Sequence, residues 1–249
     1  MIDLTGKTAL ILGGSRGIGA ATAKRMALQG ARVALTYAAS PDRAAGVVSE
    51  IKGGGGEGLA IRADALQRGA NRTAVDQTVQ HFGGIDVLVS AAGMFDAAPI
   101  AEFDADRFDK SMDLHVRSVF EAVQAALPYL QPGGSIITIG SVLGDLASFP
   151  GMTLYTATKA AEAGLAKALA HDLGEQGITA NAVLPGPIDT EMNPGDPEAN
   201  PMAQTQASRT ALKRYGHADE VANLVTFLAS PAARYITGQA IRIDGGWSA

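Results

Sequence analysis

The chain has 249 residues, 47% of them hydrophobic and 18% charged, with a net charge of −5 at pH 7. It is long enough to bury a sizeable core and carries no basic footprint for nucleic acid. It contains no cysteine, which excludes a disulfide framework, a thiolate metal site and a thiol nucleophile.

The four histidines, His81, His115, His171 and His217, stand far apart and form no close ligand spacing, so no metal is expected. The N-terminal residues lack the apolar region of a signal peptide, and no run of ~18 apolar residues offers a membrane span. The expectation is a cytoplasmic protein with no membrane or nucleic-acid partner.

Lys7 to Leu12 is a short apolar run ending in glycines, as a buried parallel strand does. Gly13-Gly-Ser-Arg-Gly17-Ile-Gly19 follows, then a helical pattern to Gln29 with Gly30 as its stop. In that strand–turn–helix setting glycine lets backbone approach a diphosphate, and the helix N-terminus offers free N–H groups. Gly13, Ser15, Arg16, Gly17, Ile18 and Gly19 are therefore candidate nucleotide-binding residues. Ala31 to Thr36 reads as a second strand, and its end, Tyr37-Ala38-Ala39-Ser40-Pro41, carries no acid for a ribose 2′-hydroxyl. With Ser40 as N-cap, Pro41 as first helical residue and Arg16 as a nearby cation, NADP(H) is expected over NAD(H). Asp42 is the dissenting charge, placed in the first helical turn.

The helix from Pro41 to Lys52 runs into four glycines, Gly53 to Gly56. A third strand over Leu59 to Ala63 puts Asp64 and Ala65 at the sheet's carboxyl edge, where ligands bind. A helix over Gln67 to Phe82 and a fourth strand over Ile85 to Val89 follow. That strand runs into Ser90, Ala91, Ala92 and Gly93, which suit either close approach of a ring or ordinary tight packing. One long helix is expected from Asp104 to Leu130, carrying His115. A glycine turn then leads into the fifth strand, Ser135 to Ile139, and to Ser141.

Tyr155 and Lys159 stand four apart on a helix expected to reach Leu173, so their side chains share a face. A phenol titrates near ~10, and a neighbouring ammonium favours its charged form, towards where proton transfer is useful. Ser141 is placed to hydrogen-bond the same substrate oxygen. Taken alone the pair also fits a surface helix with a solvated lysine. That helix is rich in Ala and apolar nearly all round, so beyond the sheet it is expected to meet a partner subunit. A sixth strand over Ile178 to Leu184 ends in Pro185-Gly186-Pro187-Ile188. Residues 190–213, rich in Pro, Asn, Gln and Met, are too long for an ordinary connection and are expected to form a lid. A helix near His217 to Ala229 and a strand over Ala240 to Ile243 close the chain. No composition shift marks a linker, so residues 1–249 are expected to form one doubly wound α/β domain.

With these residues in hand, the chain resembles the short-chain dehydrogenase/reductase family over nearly its whole length. Gly13, Gly17 and Gly19, Asp64, Ser141, Tyr155 with Lys159, Pro185-Gly186 with Thr190, and the closing Asp244-Gly-Gly all fall in register. The resemblance implies a Rossmann-like, seven-stranded parallel sheet with helices on both faces, and a homo-oligomer, tetramer or dimer. It implies Tyr155 as general acid/base, Ser141 orienting the carbonyl, and Lys159 holding the nicotinamide ribose and making the tyrosine more acidic. Gly93, Ala91, Ala92, Tyr37, Ala38, Ser40, Asp64, Ala65, Pro185, Gly186 and Ile188 would then line the nucleotide. Three positions depart from the family pattern. Leu12 replaces a threonine, Ser90-Ala91 replaces a pair of asparagines, and His115 replaces the asparagine associated with the proton path. Either the backbone at 115 serves that path, or the imidazole does, or His115 is simply packed.

The leading expectation is an NADPH-dependent carbonyl reductase acting on a small or medium hydrophobic ketone or secondary alcohol. The expected pocket lining is Leu143, Leu146, Phe149, Met152, Pro187, Met192 and Met202. A 3-oxoacyl-carrier-protein reductase is the nearest enzymatic alternative, although Arg117, Lys213 and Arg214 make a sparse basic patch for an acidic carrier. A non-catalytic cyclic-di-GMP-binding regulator on the same scaffold is the alternative from another class.

Overall fold

Successive residues of the central strands face opposite layers: Ala9 and Ile11 pack on one side of the sheet, Leu10 and Leu12 on the other. Both sides are covered, which is why these strands read as unbroken apolar runs instead of alternating ones. The computed structural model describes residues 2–147 and 149–249. Its strands are β1 (Thr8–Leu12), β2 (Arg32–Tyr37), β3 (Gly58–Arg62), β4 (Val87–Ser90), β5 (Ser135–Ile139), β6 (Thr179–Pro185), β7 (Ile188–Asp189), β8 (Gly216–His217) and β9 (Ala240–Ile243). Seven of them form one sheet in the order β3-β2-β1-β4-β5-β6-β9, and every pairing in it is parallel.

The helices are α1 (Gly17–Leu28), α2 (Pro41–Gly53), α3 (Ala70–Phe82), α4 (Ala105–Met112), α5 (Ser118–Ala126), α6 (Thr153–Leu173), α7 (Ala203–Arg209) and α8 (Ala218–Leu228). One layer is built from α1, α2 and α8, through residues such as Met26, Val47 and Val225. The other is built from α3, α5 and α6, through Val75, Val119 and Leu173. Strand order reverses between β1 and β4, so their carboxyl ends open a crevice between the layers. This is the Rossmann-like doubly wound sheet expected from the sequence.

The expected single helix over 104–130 is instead broken. It runs as α4, a π-helical turn over Asp113–Arg117, and α5, and it ends at Ala126. Within the π turn the Ser118 N–H donates five residues back, to the Asp113 carbonyl. The Leu114 carbonyl, passed over by that shift, accepts from the Ser118 hydroxyl at 2.5 Å instead. Periodicity cannot distinguish such a turn from a continuous helix, because the apolar pattern carries on through it.

The expected lid segment also has more structure than its composition indicated. Its ends are drawn together by β7 and β8, which pair parallel as Ile188 with Gly216 and Asp189 with His217. Inside, α7 packs over a polar knot in which Asn200 donates to Asn193 at 3.0 Å and the Tyr215 hydroxyl donates to Gln206 at 2.6 Å.

Candidate active site

The cleft at the carboxyl ends of β1, β4, β5 and β6 has a volume of about 1010 Å³. It brings together every residue expected for the nucleotide, from Gly13 to Gly19 at one end to Pro185, Gly186 and Ile188 at the other, with Ser141, Tyr155 and Lys159 between. His115 is not among the described lining residues; it lies buried beneath the floor.

The glycine loop is held by main chain. Gly13 has φ of 77° and lies so close to β4 that a Cβ there would sit 2.7 Å from the backbone of Ala92. Leu12 and Ser90 are register partners, and the Ala91 N–H donates to the Leu12 carbonyl at 2.9 Å. Leu12 has no side-chain hydroxyl to offer, and the Gly13 N–H donates to the Thr36 hydroxyl on β2 at 2.9 Å. Thr36 also lines the cleft, and the sequence reading missed it, since a threonine inside a strand carries no signal of its own. Ser90 keeps a buried hydroxyl with no partner among the described residues.

Beyond the loop, α1 has no acid in its first turn, and Arg16 is exposed at its N-cap. Ser40 stands at the N-cap of α2 as expected, but its side chain makes no capping bond. Ser40 lines the cleft beside Tyr37 and Ala38, and no acid ends β2. Arg43, on the first turn of α2, reaches across the cleft mouth to Glu191 at 2.7 Å. Asp64 closes its own turn, accepting from the Leu66 N–H at 3.0 Å. This cradle fits a dinucleotide: close backbone, an open helix N-terminus, a free hydroxyl and a cation occur where the diphosphate and adenosine ribose would lie.

At the floor, Lys159 is buried; its Nζ donates to the Ile139 carbonyl at 3.0 Å and to Glu162 Oε2 at 2.8 Å. The same Nζ lies 5.9 Å from the centre of the Tyr155 ring. Burial lowers the tendency of Lys159 to hold its proton, but the charges of Glu162 and Tyr155 outweigh it and leave the pKa raised. The Tyr155 ring is held edge-on by Phe95 at 5.1 Å and by His115 at 6.2 Å. Ser141 is buried at the start of a short 3₁₀ turn, where its Oγ accepts from the Leu143 N–H at 3.1 Å.

His115 uses both ring nitrogens. Nε2 accepts from the Met94 N–H at 3.0 Å, which leaves Nδ1 as the donor to Thr158 Oγ1 at 2.9 Å. The Thr158 hydroxyl in turn donates to the Tyr155 carbonyl at 3.0 Å. Burial, with the Lys159 ammonium adding to it, pushes the imidazole down to about 3, so it is neutral. Gly93 is the meeting point: a Cβ there would come 3.3 Å from His115 Nε2 and 3.5 Å from Lys159 Nζ.

On the substrate side, Leu143, Phe149, Met152, Pro187, Met192 and Met202 line the cleft; Leu146 is not among the described lining residues. Sequence reasoning missed Phe95 and Trp247, which also line it. Trp247 lies near the end of the chain and meets Phe149 at 5.9 Å, with the Arg209 guanidinium over both rings. No local spacing links residues 95, 149 and 247, so only the fold could join them.

A family model described as enoyl-(acyl carrier protein) reductase matches residues 13–248. The chain is 41% identical over 245 residues to a cyclic-di-GMP-binding biofilm dispersal mediator protein of Escherichia coli, covering 98% of each. It is 38% identical over 242 residues to a 3-oxoacyl-[acyl-carrier-protein] reductase of Staphylococcus aureus, covering 96% of this chain and 97% of that one. A short-chain dehydrogenase of Burkholderia cenocepacia, solved in complex with NADP, superposes with a TM-score of 0.96 at 47% identity and covers 99% of each chain. The fold and the cleft are those of a dinucleotide-dependent oxidoreductase. The chain belongs to the short-chain dehydrogenase/reductase family.

Proposed function

We propose that this protein is an NADP(H)-dependent carbonyl reductase that interconverts a hydrophobic ketone and its secondary alcohol. The observation that carries the reading is the buried Lys159 ammonium 5.9 Å from the Tyr155 ring at the floor of an apolar cleft. A module that only binds nucleotide has no need of a phenol and an ammonium so placed.

When bound, the nicotinamide supplies or accepts the hydride. The chain's own residues do the remaining work. Ser141 orients the carbonyl oxygen, and Tyr155 gives that oxygen its phenolic proton as the carbon is reduced. The Lys159 ammonium stabilises the phenolate left behind, and in the oxidation direction the same phenolate takes the proton from the alcohol. His115, with both ring nitrogens engaged, acts as a positioning residue for the Tyr155 backbone. Arg16, Ser40 and the acid-free end of β2 support a 2′-phosphate, and the NADP complex of the Burkholderia relative points the same way. Residues 190–213 serve as the lid. The exposed stripe of Ala157, Ala160, Gly164 and Ala168 on α6, with the half-exposed Phe120 on α5, supports a homo-oligomer built on these helices.

A carrier-protein substrate is less favoured. Two of the cations that would dock an acidic carrier are already paired: Arg117 with Asp113 and Glu121, and Arg214 with Glu220.

The test follows NADPH oxidation against a panel of hydrophobic ketones and a 3-oxoacyl thioester, with cyclic-di-GMP titrated in parallel. Turnover of simple ketones by the wild type, abolished at least a thousandfold in Tyr155→Phe with NADPH binding retained, is the expected result. No turnover of any carbonyl together with saturable cyclic-di-GMP binding would overturn it.

A further inference from the structure

Glu162 follows Lys159 by three residues on α6 and is completely buried. Its Oε2 accepts from Lys159 Nζ at 2.8 Å, while its Oε1 has no hydrogen-bond partner among the described residues. A buried carboxylate oxygen without a partner is costly. Packing does not demand it: the neighbouring positions of the same buried face, Ala163 and Ala166, meet Ala182 and Leu184 of β6 with apolar side chains. The Lys159 ammonium thus stands between two acids, the Tyr155 phenol lining the cleft and the Glu162 carboxyl in the interior.

We propose, resting on the hydride-transfer reading above, that Glu162 is a positioning residue whose charge sets how strongly Lys159 acts on Tyr155, and so sets the pH range over which each direction of the reaction runs. When Glu162 is ionised, its carboxylate shares the ammonium's charge and Tyr155 is kept as the phenol that protonates a carbonyl. When Glu162 is protonated, the full ammonium charge faces Tyr155 and favours the phenolate that takes a proton from an alcohol.

Burial pushes the Glu162 carboxyl up to about 7, with Lys159 pulling the other way, so both forms are populated near neutrality. The surroundings add little to this balance. Among the described residues, β5 contributes the Thr138 hydroxyl, 3.4 Å from the Glu162 carbonyl, and the Ile139 carbonyl on Lys159. From the π turn comes His115, which is neutral at these pH values. Among the described residues Lys159 is the charged group that acts on the Glu162 carboxyl.

The experiment uses Glu162→Gln, which keeps the shape and an oxygen for Lys159 but never carries charge. In wild type and variant, rates of ketone reduction and alcohol oxidation are followed from pH 5.5 to 10. The limb on which reduction falls and the limb on which oxidation rises should both move to lower pH by about one unit in the variant, with the KM for the nucleotide nearly unchanged. A uniform loss of kcat at every pH, with the limbs unmoved, would mean a merely structural glutamate and would overturn the proposal. A second readout needs no turnover: carbon-13 titration of side-chain carboxyls and tyrosine Cζ in the wild type without nucleotide, assigned with Tyr155→Phe. One glutamate should titrate near neutrality and the Tyr155 signal should respond in the same step. No glutamate above the ordinary carboxylate range, or a Tyr155 signal indifferent to that step, refutes the inference. This titration decides the matter even if Glu162→Gln does not fold. It also separates the two ideas, because failure to reduce any carbonyl leaves the coupling measurable.

Discussion

His115 and Glu162 are buried titratable groups placed on either side of Lys159, and they respond to pH in opposite senses. Free histidine titrates near ~6.5, whereas His115 is held neutral down to about 3. The unfolded chain therefore binds a proton that the folded chain refuses, and the associated stability is present above ~6.5 and lost as pH falls towards 3. For Glu162 the folded value, about 7, lies above the ~4.3 of an unfolded glutamate. Its contribution is present below ~4.3 and is lost as pH rises through 7. Between pH 7 and 5 the His115 term alone amounts to about 2 kcal/mol. His115→Asn should remove that loss, so that its urea midpoint declines less on acidification than the wild-type midpoint does. An identical decline in both proteins would show that the imidazole is free to take up a proton in the folded state.

At the scale of elements, strand–turn–helix units carry most of the site. The run from Gly13 to Gly19 was legible because a glycine pattern between a strand and a helix has one common use. Arg16 sits at the tip of that turn, exposed, and its expected duty is specific: Arg16→Ala should raise the KM for NADPH at least tenfold while changing that for NADH less than twofold. Equal effects on both nucleotides, measured by initial rates, would remove the arginine from the 2′-phosphate site. What could not be read was any feature made by register. The π turn has the composition of an ordinary helix, Thr36 reads as any strand threonine, and the unsatisfied Glu162 looks on paper like a helical surface residue three places after a lysine. Each acquires its meaning from a neighbour more than twenty residues away or from burial that sequence periodicity did not report. The departure at Leu12 behaves similarly. There the Gly13 N–H donates to the Thr36 hydroxyl, from β2 on the side of β1 away from β4.

Across the whole molecule, the parallel sheet was legible, because strands covered on both faces read as short, largely apolar runs, with only scattered buried polar residues such as Thr36 and Asn181. The substrate end was legible only in part. Six of the seven expected apolar residues line the cleft, yet Phe95 and Trp247 arrive from loops far apart in sequence. The proposed assembly also belongs to this scale. The small residues on the outer face of α6 leave room for a second helix at close range, so Ala160→Arg should shift the protein to a smaller species in analytical ultracentrifugation. An unchanged sedimentation coefficient would place any interface elsewhere. The proposed lid segment is tied to α2 by the exposed Arg43–Glu191 pair, which contributes at most about 1 kcal/mol and weakens with salt.

The π turn carries one surplus residue, and a surplus residue is something a helix can shed. A deletion inside an ordinary helix rotates everything on one side of it by about 100° and ruins its packing. Excising Val116 would instead let Asp113–Ser118 relax into regular winding, with α4 and α5 keeping their present orientations. Such a shortened chain should express and melt cooperatively, yet the imidazole would turn away from Met94 and Thr158. Folding and chemistry would then part company at a single codon.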